Sequence, residues 1–402
     1  NERPVLVSDI PTFEATQTLD IVQELDQTPK YDLESLGLFA QATWDISDQF
    51  ALTLGARWYD IEVDFDGSAN SSFCNSGAAQ DINGFGTDIS DLYNGDGEIT
   101  FRGTCNPDAQ ITYTLDTIDE NTPAQVVSAL QNAPDAATTD GVIGKATLTW
   151  TPNDNLLFYG TWSEGFRPGL LNRPGGAAGP NGFTVPFALD TDDVVNIEFG
   201  WKLDLFDRAL RFNGSAFVVD IENLQTTIFD PSITNLFFSD NAADAEIRGI
   251  EGDFIWAPRN VSGLTVSGGF SFLDTEITEV LTPTNDVREG DELAFAPEFQ
   301  ATLRTRYEWE VGGDGLTAHF MPFMSYSSEA FSDIITINRD EMDSWALFGV
   351  TAGVTSDRWA AEVYVDNLFN AQAELARNFI NDVERVTYAR PLTGGVRVRF
   401  GF

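Results

Sequence analysis

The sequence predicts an all-β fold, specifically a transmembrane antiparallel β-barrel. Three observations predict it. Apolar and polar residues alternate over many long segments, the connections between those segments alternate short and long, and tryptophans mark the ends of the apolar faces. A barrel strand meets lipid on one side and the lumen on the other, so its side chains alternate with period 2, and short turns at one end face long loops at the other. A soluble β-sandwich predicts shorter strands and connections of fairly uniform length.

The alternation is plain in individual segments. In 194–204, Val195, Ile197, Phe199, Trp201 and Leu203 form one face, while Asn196, Glu198, Gly200, Lys202 and Asp204 form the other. In 301–310, Ala301, Leu303, Thr305, Tyr307 and Trp309 oppose Thr302, Arg304, Arg306, Glu308 and Glu310. About thirteen such segments run along the chain, over 33–45, 49–65, 142–152, 156–168, 193–206, 209–226, 245–258, 262–279, 293–310, 315–329, 343–356, 358–369 and 385–402. The short connections are 46–48, 152–155, 207–208, 259–261, 311–314 and Asp357. The long ones are about 66–141, 169–192, 227–244, 280–292, 330–342 and 370–384. Trp44, Trp58, Trp150, Trp201, Trp256, Trp309 and Trp359 suit girdles at the two membrane interfaces.

Composition excludes several function classes. With 22 Lys+Arg against 63 Asp+Glu the net charge is −41, which argues against a phosphate-binding surface and hence against a nucleic-acid partner. A single histidine, His319, and two cysteines, Cys74 and Cys105, leave no multi-Cys/His zinc site. A histidine-dependent catalytic triad would have to run through His319. With 31 Phe and 9 Trp the chain is too aromatic for a solvated coil. No apolar run is long enough for a membrane helix, which leaves a barrel open. The start at Asn1-Glu2-Arg3-Pro4, without Met or leader, reads as a mature or truncated product.

The longest connection, about 66–141, is strongly acidic, with Arg102 as its one basic residue. A structureless loop of that length is unusual, so internal order is expected. Cys74 and Cys105 share it, and an outer-membrane chain folds in an oxidising compartment, so a disulfide is expected, worth about 3–4 kcal/mol by loop entropy. Thr122-Pro123-Ala124, followed by Val126, Val127 and Leu130, reads as a short capped helix. Asn94, Asp96 and Glu98 fall at calcium-loop spacing, but Leu92 and Gly103 stand where a cage needs carboxylates. The motif is half complete, so a Ca²⁺ ion competes there with a solvated acidic turn, and no other cofactor is indicated.

His319 alternates with Ala318 and Phe320, which puts it on the lumen wall. The wall reading stands beside a catalytic one. No Gly-x-Ser-x-Gly elbow accompanies it. The glycines after Arg173 lack the Gly-Lys-Ser/Thr of a phosphate loop.

Several segments resemble the C-terminal part of the barrel of TonB-dependent outer-membrane receptors. The clearest are Ser163-Glu164-Gly165-Phe166-Arg167-Pro168-Gly169, Asp366-Asn367-Leu368-Phe369-Asn370, Gly249-Ile250-Glu251 and the end from Tyr388 to Phe402. Glu34 to Gln41 and Leu54-Gly55-Ala56-Arg57 support them. The resemblance covers about 33–402 and implies a barrel of 22 strands, of which this chain supplies the last thirteen or so. Residues 1–32 would then be a partial extracellular loop, and 33–402 the C-terminal part of the barrel. The plug domain, the TonB box and the first nine strands fall outside the sequence. A thirteen-stranded sheet with two open edges is not viable in lipid, so the chain reads as one piece of a nicked receptor or as part of a longer chain.

The resemblance also implies a function. The protein would sit in the bacterial outer membrane and take up a scarce, bulky solute: a ferric siderophore, haem, cobalamin or an oligosaccharide. It would do so without bond chemistry and hence without being an enzyme. Its partners would be the TonB complex, acting through the missing box and plug, the N-terminal half of the same receptor, and outer-membrane lipid with lipopolysaccharide. Phe402 would be the signal read by the assembly machinery. Among loop residues, Arg167 and Arg173 would hold an anionic group, while Phe183, Phe187, Phe229, Phe237 and Phe238 would cover an apolar or sugar face. For the aromatics, packing of loop on loop is the competing reading. A passive substrate-specific porin and a structural outer-membrane scaffold are the competing functions.

Overall fold

The computed structural model describes the chain except for residues 1–29, 67–97, 103–109, 123–126, 128–129, 133, 135, 173–181, 229–237, 283–285, 313–314, 381–382 and 402. The described strands are β1 (Lys30–Asp45), β2 (Phe50–Asp66), β3 (Glu98–Arg102), β4 (Gln110–Thr114), β5 (Ala136–Asn153), β6 (Leu156–Arg167) and β7 (Asp192–Leu205). They continue with β8 (Leu210–Ile228), β9 (Phe238–Trp256), β10 (Leu264–Val280), β11 (Phe299–Glu310), β12 (Thr317–Ser327) and β13 (Ala330–Phe331). The last are β14 (Glu341–Met342), β15 (Trp345–Thr355), β16 (Trp359–Asp366), β17 (Glu374–Ile380), β18 (Val383–Tyr388) and β19 (Thr393–Phe400).

One thirteen-stranded sheet runs β1-β2-β5-β6-β7-β8-β9-β10-β11-β12-β15-β16-β19. The other strands form three separate hairpins, β3–β4, β13–β14 and β17–β18, inside the long connections. Every pairing in the large sheet is antiparallel between successive sheet strands. All short turns therefore lie at one end and all long connections at the other. β1 and β19 are the two outer strands, and no pairing joins them among the described residues.

Register holds the two faces constant from strand to strand. Phe50 pairs with Trp150, Trp150 with Phe158, Phe158 with Trp201, and Trp201 with Gly214. That apolar row runs near the short-turn end. Its rings stack in sequence, Phe50 on Trp150 at 6.1 Å and Trp150 on Phe158 at 5.5 Å between centroids. The girdle tryptophans Trp44, Trp58, Trp150, Trp256, Trp309 and Trp359 stand exposed on the apolar face, as an amphipathic ring at a membrane interface should. Crossing hydrocarbon takes about nine to eleven tilted residues. β8 and β9 have 19 each, so their surplus continues the ladder beyond the long-loop end.

On the polar face, aromatic rings of one strand lie over glycines of its neighbour. Tyr159 pairs with Gly200, Phe217 with Gly249, Phe323 with Gly349, and Tyr364 with Gly395. A Cβ on these glycines would come within 2.1–2.8 Å of ring atoms. The ring covers bare backbone that a side chain would otherwise shield, so the pair behaves as one packing unit.

Four strand boundaries differ from the sequence reading by several residues. β5 starts at Ala136 and not 142, and β9 at Phe238 and not 245, because both ladders continue into what reads as loop. The segment 293–310 enters the ladder only at Phe299. Before it, Pro297 has no N–H to give, and Ala294 instead bridges Phe331 in the next connection. The segment 385–402 is divided: Val383–Tyr388 folds back on Glu374–Ile380, and the barrel strand starts at Thr393. Pro391 interrupts the ladder, and Asn370 Oδ1 takes the N–H of Leu392 at 2.9 Å.

The ring-over-glycine packing generates a prediction. Gly200→Val should displace Tyr159 and destabilise the barrel by about 1–3 kcal/mol. Gly160→Ala, which meets nothing within 4 Å, should be neutral. Urea midpoints of the heat-modifiable band on gels check both.

Candidate functional site

The long connections gather at one end of the sheet and interlock there. Near that end the inward face turns apolar: above Arg57, β2 carries Tyr59, Ile61 and Val63, all buried. Leu130 from the first long connection and Leu171 from the next pack on them, with Tyr113, Ile118 and Phe187 at the margin. Burial of such side chains contributes roughly 1.5–3 kcal/mol each. The described part of the first connection thus has internal order, and it covers the mouth along β2 and β5. Its hairpin β3–β4 was not foreseen, because nothing in the alternation of so polar a segment sets it apart. Val127 and residues 130–132 are helical there.

A second apolar cluster joins the following connections. Phe183, Val185, Ile228, Phe238, Ile277, Val287, Ile334 and Ile335 are buried together. Phe183 and Phe238 lie 6.0 Å apart, ring to ring. Of the ligand-covering aromatics named from sequence, Phe183, Phe187 and Phe238 are therefore packed loop on loop or loop on strand.

Polar pins hold the connection 168–191. Arg167 donates from Nε and Nη2 to Asp192 Oδ2 at 2.9 and 2.5 Å, and from Nη2 to the carbonyl of Gln225 at 2.6 Å. Gln225 is buried and donates from Nε2 to the carbonyls of Pro168 and Asp190, both at 3.0 Å. Asn172 Nδ2 donates to the carbonyls of Pro186 and Ser239 at 2.9 and 2.7 Å. Arg167 thus pairs with the buried Asp192 carboxylate while about half of its side chain (51%) stays exposed.

On the other side of the mouth two arginines bind three connections together. Arg339 stacks 3.6 Å over the Phe331 ring and donates to the carbonyls of Glu292 and Asp333 at 2.9 and 3.1 Å. Arg377 contacts Glu374, Asp340 and Glu384, and its bond to the Glu374 carboxylate holds its guanidinium charged well above the usual range. Asp333 is buried, which pushes its carboxyl up, and the N–H of Ile335 at 3.0 Å only partly offsets this.

The inner wall is polar and largely carboxylate. A luminal recess of about 400 Å³ is lined by Glu198, Glu251 and Asp253 together with Lys202. The carboxylates have neutral donors: Tyr159 Oη on Glu198, Ser215 Oγ on Glu251 at 3.5 Å, and Asn213 Nδ2 on Asp253 at 3.2 Å. His319 is buried in β12, on the wall as its alternation predicts. Its Nε2 lies 3.3 Å from Glu362 Oε2 across Gly353, and Arg397 holds the other Glu362 oxygen at 2.7 Å. This row ties β12 to β16 and β19, which is a wall role.

The motifs that carried the resemblance have structural work. Asn367 is buried at φ 49°, donates to the carbonyls of Ala371 and Arg390, and accepts from the Ala371 N–H. Asparagine is among the few side chains that tolerate this backbone region. A Cβ on Gly169 would come 2.0 Å from the Leu189 carbonyl, so the loop returns too closely for a side chain. Gly249 lies under Phe217.

Arg173, Phe229, Phe237, Cys74, Cys105, Asn94, Asp96 and Phe402 lie outside the described residues. Glu98 begins β3, with its backbone paired to Thr114. The pins Asp192, Asn172, Gln225 and Arg339 escaped the sequence reading because nothing in local spacing marks them. Tyr59, Ile61 and Val63 did leave a signal: they are apolar on the face that carries Arg57.

Two measurements follow. Arg167→Ala leaves the Asp192 carboxylate buried without its cation, at a cost of about 1–3 kcal/mol locally, and should speed proteolytic cleavage within 168–191. Asp333 holds its proton more tightly folded than unfolded. Its contribution is full below its unfolded pKa and is lost as pH rises through the raised folded value. Amide protection of 328–344 should therefore fall with rising pH over that interval, and Asp333→Asn should flatten the profile.

Comparison with known proteins gives a consistent answer. A family model described as TonB dependent receptor-like, beta-barrel, matches residues 7–368. The ferric yersiniabactin uptake receptor FyuA of Yersinia pestis is similar in structure, with TM-score 0.62 and 15% identity over 93% of this chain and 46% of that one. The siderophore receptor PiuA of Acinetobacter baumannii gives TM-score 0.59 and 17% identity over 92% of this chain and 43% of that one. The copper transporter OprC gives 0.59 and 13% over 92% and 48%. The chain spans less than half the length of each.

Proposed function

Since the chain belongs to the TonB-dependent receptor β-barrel family, we propose that it is the C-terminal part of an outer-membrane receptor for TonB-driven uptake of a scarce, bulky solute. The observation that carries this reading is the gathering of every long connection at one end of the sheet, where they interlock around a polar inner wall. The sheet supplies a lipid-embedded wall, and the interlocked loops supply an outer face on which a solute is caught. A plug contributed by the rest of the receptor would close the lumen, and TonB would act on that plug. Family members are receptors and transporters, and His319 in its wall row fits transport without bond chemistry.

The solute belongs to the classes ferric siderophore, haem, cobalamin or oligosaccharide. The siderophore receptors among the structural neighbours favour the first. The net charge of −41 works against an anionic complex at long range. Arg167, paired with Asp192 but half exposed, and Arg173 are the candidates for holding an anionic group locally.

Cells carrying the full-length protein should accumulate one labelled member of this panel saturably, and a protonophore should abolish the uptake. Uptake indifferent to the protonophore would identify a passive channel. No uptake of any member would favour a structural scaffold.

A further inference from the structure

We propose that the upper part of β5 is a docking edge, to which an extended, basic peptide segment adds as a further strand. The sheet has a seam there. β5 stays paired with β2 up to Ala136, and β6 stays paired with β7 up to Arg167. Yet β5 and β6 pair with each other only from Lys145 and Ser163 downward. The next steps of that ladder would set Gly144 against Glu164 and Val142 against Phe166. Phe166 instead stacks on Tyr59 at 3.6 Å between centroids, and Pro168 has no N–H to offer. The Glu164 carboxylate reaches across and takes the Gly144 N–H at 2.8 Å.

Alternation says which backbone groups are left over. Thr151 donates its N–H to the Gln49 carbonyl at 2.8 Å, so the odd residues of β5 bond to β2 and the even ones face β6. The N–H and C=O groups of Thr138, Asp140 and Val142 therefore point into the seam, where no partner takes them among the described residues. All three residues are exposed, Val142 by 65%. Val142 stands eight residues (150 − 142) above the girdle residue Trp150, close to the nine to eleven or so that cross the hydrocarbon. The edge thus lies at and beyond the margin of the membrane, within reach of a segment in water.

A row of free backbone groups invites strand addition. The flanking side chains say which segment fits. Asp60 stands directly across from Asp140, and Glu62 across from Glu34, all four exposed. Like charges placed opposite one another repel, and lysines of an added strand would relieve them. Val142 sets an apolar residue beside Asp140 along the same face, so a segment that mixes basic and apolar residues matches the edge.

This edge is independent of transport: a protein that binds the peptide yet moves no solute would count against transport alone. The test uses the full-length protein in phosphatidylcholine nanodiscs, with empty nanodiscs as the blank. The probe is a fluorescent hexapeptide of alternating Lys and Val, and its Glu–Val counterpart is the control. The Lys–Val peptide should bind, more weakly as salt rises, and should slow amide exchange at Asp140 and Val142. Val142→Pro removes one N–H that faces the seam and none that bonds β2, so the heat-modifiable fold should remain while binding falls about tenfold. Asp60→Asn combined with Asp140→Asn should weaken binding and flatten its salt dependence. Absence of binding, equal binding of the Glu–Val peptide, binding unchanged in both variants, or Asp140 and Val142 amides already protected before peptide is added would overturn the proposal.

Discussion

In hydrocarbon a backbone N–H or C=O without a partner costs several kcal/mol, and no water is present to relieve it. That constraint organises the molecule. It explains why the chain is built from thirteen strands in unbroken antiparallel order and why each neighbour in the sheet is the next barrel strand in sequence. It also makes the two outer strands the most consequential part of the structure. β1 and β19 each offer a row of unpaired backbone groups, and β1 is exposed along its described side chains on both faces. In lipid those rows need partners, and the structural neighbours are more than twice the length of this chain.

Once pairing fixes the register, side chains divide the labour. Outward, rings stack from Phe50 through Trp150 to Phe158 near the interface. Inward, rings lie over glycines, and polar wall groups line up across strands, as in the row from His319 through Glu362 to Arg397, where Arg397 and Glu362 are paired charges. The long connections use other means. They have cores of their own and are pinned by Arg167, Asn172, Gln225, Arg339 and Arg377. The wall and the described loops thus hold together by separate means.

The strands were legible because lipid on one side and water on the other imposes period 2, and the sequence has little room to disguise it. Boundaries failed in two ways: proline ended the ladder before Phe299 and before Thr393 although the segment alternates, and β5 and β9 start six and seven residues before the alternation shows. His319 was placed correctly by alternation alone. The loop residues were not legible in the same way. The pairing of Arg167 was not legible because Asp192 is 25 residues away, and for Phe183 and Phe238 the choice between ligand face and loop-on-loop packing stayed open because such packing has no local period. Tyr59, Ile61 and Val63 broke the polar-inward rule and pointed to the loop that covers them.

Closure of the sheet is the claim on which the rest stands. It is tested most directly by amide hydrogen exchange on the full-length protein in nanodiscs, following the outer strands Lys30–Asp45 and Thr393–Phe400. Protection of both to the level of β2 would show that each has a partner strand beyond these residues. Exchange at the rate of the loops, while β2 stays protected, would mean an open sheet and would contradict the barrel account.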